Sequence, residues 1–521
     1  MLGLFYTAYR SSPLSKREYS YVDLPQKQAV VLLGSILVVA LCGIVYELII
    51  GTVSSYLLGN SVYQFSLTIG FFMFAMGVGS YVSRFIEGNL VQAFVWVELI
   101  LAFVGGMCSI SLFMLFPYAP WFYTVGMFTF ISTIGFLVGL EIPILTRILS
   151  ERSTTRQSIS DVLSLDYIGA LIGSVAFPVL LLPSLGLITA SFAIGLTNAC
   201  VALLNVFWLR NHLDNFHRVL AYVIAVIVLL FVLTLSASRI TGFAQDHLYF
   251  DRIVWRDQSP YQTLVVTNTW KSDDVRLFID GHLQFSQADE YRYHEALVHP
   301  LLAWGSEPES VLILGGGDGL AVREVLKHPT VNHIDLVDLD PEMTRLGAEF
   351  APIVRLNEGS MASEFLTVFN QDAFLYVKEA GRKYDRIIID FPDPHNEALS
   401  KLYSVEFYAM VADILEEDGA LVTQSSSPFF ATHSYWTVAL TLEELFADVV
   451  SYNTPIPSFG IWGFHIASKQ SGQTLGVLPD GLRSLTAESF QAGRTFTTDL
   501  LPRKPLEVNS IFNPTIYERY A

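Results

Sequence analysis

Seven stretches in the first 240 residues are apolar and long enough to cross a bilayer: 29–51, 63–86, 90–114, 122–147, 163–184, 187–208 and 218–237. About 20 apolar residues of helix span a hydrocarbon core, so each stretch is predicted to be a transmembrane helix. Beyond about residue 238 the pattern changes to short apolar runs separated by polar turns. Residues 246–300 read as β: Thr263–Thr267 alternates around valines, and Val275–Ile279 is a second short strand. Turns are expected at Lys271–Asp274 and at Asp280-Gly281. From Val311 strands and helices alternate, with strands predicted at 311–314, 333–338, 386–390 and 420–424 and helices near 319–327, 341–349 and 404–415. Such alternation is the signature of a doubly wound parallel sheet.

The expected architecture is therefore an α-helical transmembrane bundle of about seven spans, followed by a soluble α/β domain. That domain has a small β N-terminal subdomain and a Rossmann-like, methyltransferase-type doubly wound sheet. The predicted divisions are a polar tail at 1–28, a membrane domain at 29–238, a β subdomain at 246–300, the Rossmann-like domain at 301–470 and a C-terminal extension at 471–521. The tail is too long for the n-region of a cleaved signal peptide.

Charge between the apolar stretches is one-sided. Arg10, Lys16, Arg17 and Lys27 precede the first, and Arg84 follows the second. Arg147, Arg152 and Arg156 lie between the fourth and fifth, and Arg210 and Arg218 between the sixth and seventh. The alternate loops, at 52–62, 115–121 and 184–187, contain no Lys or Arg. The positive-inside rule puts the N-terminus in the cytoplasm, and seven spans then put the C-terminal domain outside. Inside the apolar stretches stand Glu47, Glu98, Glu141 and Asp166, with Gly70, Gly77 and Gly79 suited to close helix packing. An intramembrane acid is costly unless paired or wetted. Glu47, Glu141 and Asp166 are candidates for a cation site or path, with simple hydrogen bonding within the bundle as the other reading.

Composition agrees with a membrane chain: 521 residues, 52% hydrophobic and 15% charged, with a mean hydropathy of +0.44. A net charge of -18 argues against nucleic acid as a partner. Cys42, Cys108 and Cys200 all fall in apolar stretches, so neither a disulfide framework nor a Cys-based zinc site is expected. No His/Cys ligand cluster appears, and no metal is expected.

The chemistry centres on Val311-Leu312-Ile313-Leu314-Gly315-Gly316-Gly317-Asp318-Gly319, an apolar strand running into a glycine loop that carries one acid. A strand, a tight glycine turn and a helix start bring backbone amides close to a ligand. Asp338 ends the next predicted strand about twenty residues on, where an acid accepts hydrogen bonds from a ribose diol, and Asp340 follows it. The loop lacks a P-loop lysine, and a carboxylate among its glycines repels phosphate and attracts an amine or sulfonium. This points away from NAD and ATP and towards an S-adenosyl compound. Ile387-Ile388-Ile389-Asp390-Phe391-Pro392-Asp393-Pro394 then delivers two acids to the carboxyl edge of the sheet, where carboxylates can hold a polycation and take a proton from an amine.

These residues carry a resemblance. From about 246 to 470 the chain resembles the spermidine synthase (polyamine aminopropyltransferase) family. The resemblance rests on Tyr261-Gln262, Asp280-Gly281 with Gln284, Asp289-Glu290-Tyr291 with Tyr293-His294-Glu295, and Gly315–Gly319 with Arg323-Glu324-Val325. It continues through His328-Pro329, Asp338-Leu339-Asp340, Asp372-Ala373 and Asp390 to Pro394. The apolar half, with Tyr46-Glu47 and Ser66-Leu67 through Arg84, is similar to the membrane-bound bacterial subgroup. The resemblance implies transfer of the aminopropyl group of decarboxylated S-adenosylmethionine, a co-substrate, to putrescine or a related polyamine; no permanently bound cofactor is implied. By similarity, Gln262, Gly315, Gly317, Asp318, Asp338, Asp372 and Ala373 would hold the donor. Asp318 would sit at its terminal amine, Asp338 at the ribose, and Asp372 with Ala373 at the adenine. Asp390 would be the base with Tyr293 positioning it, and Asp393, His294 and Glu295 would bind the amine. The resemblance also implies a homodimer.

Two features depart from that pattern. After Pro394 the run is His395-Asn396-Glu397-Ala398-Leu399-Ser400-Lys401-Leu402-Tyr403-Ser404, where soluble members carry a Gly-Pro pair and an acid. Pro455–Phe464 lacks the family's usual amine-contacting tyrosine. The acceptor is thus less defined than the donor. The donor is a cytoplasmic metabolite, in conflict with an external domain, so the side of the cell membrane stays open. Rival readings are another S-adenosyl-dependent transfer, and a polyamine transporter or sensor with a regulatory nucleoside-binding domain.

Overall fold

The computed structural model describes residues 25–58, 61–150, 155–249, 251–270, 273–394 and 397–518. Arg10, Lys16, Arg17, Arg152, Lys271, Ser272, His395 and Asn396 fall outside these residues. The chain divides into two compact units: Val62–Ala244 with the chain up to Ser55, and Gln245–Ala521 with Tyr56–Ser61.

The first unit is helical. Its helices are α1 (Gln26–Leu58), α2 (Ser61–Val82), α3 (Leu90–Tyr118), α4 (Pro120–Leu149), α5 (Thr155–Ala176), α6 (Leu182–Trp208) and α7 (Phe216–Leu235), with α8 (Ala237–Tyr249) leading on. Asn89 caps α3, accepting from the Gln92 amide at 3.0 Å. Pro120 opens α4, where its missing N–H is no loss. Helices α2 and α4 approach closely: a Cβ on Gly79 or Gly139 would run into the backbone of the facing helix.

Among the described residues six helical stretches are long and apolar enough to cross a membrane, where the sequence predicted seven. The difference lies in Arg156–Trp208, a 53-residue stretch that covers the predicted spans at 163–184 and 187–208. Pro178 and Pro183 loosen it into a π-helical turn at Phe177–Leu181, and Gly186 breaks it at φ 70, ψ 172. The stretch is therefore two helices joined across a kink at Gly186, one for each of the two predicted spans.

The second unit holds two sheets. Strands β1 (Arg252–Gln258), β2 (Thr263–Asn268), β3 (Val275–Ile279) and β4 (His282–Ser286) form an antiparallel meander. After α9 (Glu290–Leu302) come β5 (Ser310–Gly315), α10 (Leu320–Val325), β6 (His333–Asp338), α11 (Pro341–Glu349) and β7 (Leu366–Asn370). Then follow α12 (Ala373–Glu379), β8 (Tyr384–Asp390), α13 (Val405–Asp413), β9 (Leu415–Gln424), α14 (Thr432–Glu443), β10 (Asp448–Ile456) and β11 (Gly460–Ser468). The seven strands lie in the order β10-β11-β9-β8-β5-β6-β7. The sheet is mixed, not wholly parallel: β10 and β11 pair antiparallel, because the three residues between them allow only a hairpin.

Alternate strand residues face opposite ways into two cores. Val311, Ile313, Ile334, Leu336, Ile388 and Val422 pack with α9 and α10, and Leu312, Leu314, Val337, Ile387, Ile389 and Leu421 with α12, α13 and α14. Burial on both faces explains why these strands read as continuous apolar runs. A third core joins Leu264, Val266, Leu277 and Phe285 of the meander to Leu320, Met343 and Leu346. The extension beyond 471 packs back on this unit, with Asn509 donating to the carbonyls of Ser400 and Tyr403 at 2.9 and 3.0 Å.

One polar residue crosses the first core. Arg386, 0% exposed, donates to the carbonyls of Leu301 at 3.1 Å, Asp385 at 2.7 Å and Trp304 at 2.5 Å, and to that of Ser306. It closes the C-terminal end of α9, whose last carbonyls have no helical partner. Orphaned buried carbonyls cost about 1–3 kcal/mol each. Arg386→Met is therefore expected to destabilise the second unit by about 3 kcal/mol, read as a lower urea midpoint in proteolysis of the full chain in detergent. An unchanged midpoint would contradict this role.

Candidate active site

The strand order places a switch point at β5. From β5 the chain moves outward through β6 and β7, then returns to β8 on the other flank. The carboxyl ends of β5 and β8 thus open a crevice between them, where open α/β sheets take ligands. The register sets Gly315 opposite Asp390, so the glycine loop and the acid of β8 meet there.

The loop needs its glycines. Gly315 has φ 88, and a Cβ there would strike the Asp390 carbonyl. At Gly317 a Cβ would lie 2.6 Å from Asp338 Oδ2, the oxygen that accepts the Gly317 amide at 3.0 Å. The other Asp338 oxygen accepts the Asp340 amide at 2.9 Å. Burial, chiefly, raises the Asp338 carboxyl to about 6, with the charges of Asp340 and Asp318 adding to it against its backbone hydrogen bonds. Asp318 accepts the Leu320 amide at 2.9 Å, and Asn357 holds its carbonyl at 2.8 Å. Burial also raises Asp318, opposed mainly by the charge of His294.

Helix α9 lies over this crevice. The Tyr293 hydroxyl donates to Asp390 Oδ1 at 2.5 Å, and its ring packs on Phe464 with centroids 5.4 Å apart. Burial raises Asp390 to about 6, opposed by His294 and by the Tyr293 hydrogen bond. His294 Nδ1 faces two acceptors, the Glu290 carbonyl at 2.9 Å and its Oε2 at 2.8 Å, so it carries a proton. Burial alone would lower this imidazole. The bond and charge of Glu290 override it, with Asp318 and Asp390 adding to the effect, and His294 lies above its ordinary range. Glu290 also takes both Arg323 Nη atoms, at 3.0 and 2.9 Å. Arg323 in turn donates to Glu324 Oε1 at 2.7 Å and to the Leu356 carbonyl at 2.7 Å.

The remaining predicted residues flank this centre. Gln262 sits in a turn whose amides at 261 and 262 both donate to Ser259 Oγ at 3.1 Å, and Ser259 donates to Asp340 at 2.7 Å. Asp372 caps α12, accepting from the Phe374 amide at 2.8 Å, with Lys401 Nζ 3.3 Å from its other oxygen and Ala373 buried beside it. The Gln371 amide donates to the Asp338 carbonyl at 3.0 Å, which brings this turn next to β6. Asp393 accepts from Ser426 Oγ at 2.8 Å. Glu295 departs from expectation: its oxygens accept the amides of Arg483, Ser484 and Leu485 at 2.7–2.9 Å, so it anchors the C-terminal segment instead of facing an amine. Glu47, Glu141 and Asp166 lie in the helical unit, where Glu47 and Glu141 are buried and Asp166 is half-buried.

The roles of several supporting residues escaped the sequence. Gln424 donates to the Phe391 carbonyl at 2.6 Å and to Tyr403 Oη at 2.7 Å, and Tyr403 donates to the Pro392 carbonyl at 3.1 Å. Together they shape the loop from Asp390 to Asp393. Asp289 holds the turn between β10 and β11 through Ser458 N and Oγ, at 2.6 and 2.8 Å. One signal was available: Arg323 stands in an apolar helical run, and a buried arginine requires a buried acid.

The chain is similar to known proteins along most of its length. Residues 290–475 match the spermine/spermidine synthase domain family. A polyamine aminopropyltransferase of Leptospira interrogans is 42% identical over 486 residues, covering 93% of this chain and 97% of that protein. Polyamine aminopropyltransferase 1 of Streptomyces coelicolor is 41% identical over 499 residues, covering 94% and 93%. Among solved structures, a spermidine synthase in complex with the transition state analogue AdoDATO aligns with 24% identity and a TM-score of 0.43, over 47% of this chain and 86% of that one. Matched to curated relatives along nearly its whole length, the chain belongs to the spermidine synthase family of polyamine aminopropyltransferases.

Proposed function

We propose that this aminopropyltransferase takes its three-carbon amine from decarboxylated S-adenosylmethionine and gives it to putrescine or a closely related diamine, from a membrane-anchored chain. The observation that carries the reading is that β5 lies between β8 and β6, so the glycine loop that bears Asp318 starts beside Asp390 and bonds Asp338 through its Gly317 amide. Asp318 suits the donor's terminal ammonium and disfavours the carboxylate that ordinary S-adenosylmethionine retains. Asp338 suits the ribose hydroxyls, and Asp372 with Ala373 the adenine edge. Asp393 and the His294 edge of the crevice suit the acceptor, and a homodimer belongs to the same reading.

In this reading the acceptor amine attacks the aminopropyl carbon bonded to sulfur. A C–N bond forms and the C–S bond breaks, its electron pair returning to sulfur to leave neutral methylthioadenosine. The nitrogen loses its proton to Asp390. A sulfonium leaves readily, so the protein's work is alignment and proton removal. Tyr293 fixes one Asp390 oxygen, which directs the other towards the nucleophile.

Four outcomes test the proposal. Asp390→Asn is expected to lower kcat by about 10²–10⁴-fold, the usual share of a general base, with the donor KM little changed. Asp390, raised to about 6, acts only when ionised. In the wild type kcat/KM should fall steeply as pH drops through about 6, and Asp390→Asn should keep only the shallower limb that Asp338, also raised to about 6, leaves. A wild-type rate in the variant would remove Asp390 from the chemistry. Asp318→Ala should weaken the decarboxylated donor far more than ordinary S-adenosylmethionine in calorimetry; tighter wild-type binding of the ordinary form would favour another S-adenosyl-dependent transfer. The six apolar stretches support anchoring, so the full chain should stay in the membrane pellet after alkaline carbonate. Release into the supernatant would sink that part of the reading.

A further inference from the structure

The helical unit contains a polar centre that aminopropyl transfer does not use. Glu98 of α3 is 0% exposed, and neither of its carboxylate oxygens has a hydrogen-bonding partner within 3.5 Å. Glu141 of α4 is buried, and its Oε1 is likewise unpartnered. The Tyr46 hydroxyl of α1, on a residue 0% exposed, has no partner either, and its charge environment includes both Glu98 and Glu141. Its ring packs over Gly105, where a Cβ would meet a ring carbon at 2.6 Å. Gly105 follows Glu98 by seven residues, two turns along the same face of α3. Asn198 of α6, also 0% exposed, donates to the Glu98 carbonyl at 3.3 Å, and its Oδ1 is unpartnered. Four helices thus hold five buried, unpartnered polar atoms, with Tyr46, Glu98 and Glu141 inside one another's electrostatic reach and Asn198 hydrogen-bonded to the Glu98 backbone.

An isolated buried carboxylate is costly, and two near each other raise the cost, so each either takes up a proton, which then needs an acceptor of its own, or meets a positive group. Among the described residues no Lys, Arg or His pairs with Glu98 or Glu141. A proton shared directly between carboxylates needs oxygens about 2.5–2.7 Å apart, and no hydrogen bond joins these two. A hard divalent ion takes 6–8 oxygen ligands or an octahedral water shell, and among the described residues no group of three or more His, Cys, Asp or Glu forms a metal set. An ammonium fits better. It offers three N–H donors, and bonds of about 2.8 Å to charged acceptors let it bridge oxygens about 4.6 Å apart. The unpartnered atoms are acceptors, plus one hydroxyl that serves either way.

We propose that Glu98 and Glu141, with Tyr46 and Asn198, form a second amine site in the helical unit, which binds one primary ammonium group of a di- or polyamine. Such a site makes the helical unit a sensor or carrier of the amines on which the second unit acts.

The test is equilibrium dialysis of the full chain in nanodiscs against labelled putrescine, with methylthioadenosine formation measured on the same samples. The E98Q/E141Q variant should bind one equivalent less than wild type and keep its turnover. Equal equivalents in both overturn the proposal, as does displacement of that equivalent by sodium ion at equal concentration. Retained turnover reports that the variant has folded. If the double variant does not assemble, E98Q and E141Q taken separately give the same comparison, each expected to bind putrescine at least tenfold more weakly at this site. A wild type that makes no methylthioadenosine counts against the catalytic reading and leaves the difference in bound equivalents to decide this one.

Discussion

Glu290 shares one buried carboxylate between Arg323 of α10 and His294 of its own helix, and the active site hangs on that arrangement. The arginine ties α9 to the helix that starts in the glycine loop. With α9 so fixed, each neighbouring residue performs a separate task. Asp289 holds the β10–β11 turn, Tyr293 holds Asp390, His294 presents a positive ring near Asp318 and Asp390, and Glu295 fastens the segment at 483–485. Five polar residues within seven positions thus join both edges of the crevice to the C-terminal extension. A buried pair of this kind is poor evidence of net stability. Its value is geometric: the two donors lock one carboxylate, and the carboxylate fixes the orientation of the histidine ring.

The crevice is otherwise a concentration of negative charge. Asp318, Asp338 and Asp390 are all pushed up by burial, the latter two to about 6. Asp338 and Asp390, at about 6, are poised. A cationic sulfonium or ammonium entering the crevice lowers them again, because an opposite charge favours the ionised form. The donor itself therefore brings the base nearer to its working state. His294 and Arg323 set positive charge against this group, and Glu290, already held by Arg323, faces His294 Nδ1 and raises the imidazole.

Much of this was legible in the chain. Continuous apolar runs at 311–314, 333–338 and 386–390 marked strands buried on both faces, and these runs end in the residues that meet in the crevice. What escaped was set by partners distant in sequence. Helix α9 was not predicted because Tyr291, Arg292, Tyr293, His294 and Glu295 have no apolar stripe; each is polar for its own tertiary reason. Gln424 and Tyr403 look like ordinary sheet and loop residues until the carbonyls of Phe391 and Pro392 are seen to need donors. Glu295 misled because a motif locates a residue but not the direction of its carboxylate. Strands β10 and β11 escaped because their antiparallel pairing falls outside the βα alternation that revealed the others.

The two units handle buried acids in opposite ways. In the second unit each acid of the crevice already holds a donor: Leu320 N on Asp318, Gly317 N on Asp338, Tyr293 on Asp390, Ser426 on Asp393. Those donors orient the carboxylates while leaving oxygens for substrate. In the helical unit neither Glu98 carboxylate oxygen has a donor, and the Asn198 amide goes to the Glu98 backbone carbonyl instead. Where water is scarce an unsatisfied polar group is more costly than in a wet crevice, because nothing else solvates it. Retaining both Glu98 and Glu141 there is hard to explain by packing, since apolar residues of similar size would fill the same volume with no desolvation cost. The arrangement makes physical sense for a group that arrives with its own charge and its own N–H donors.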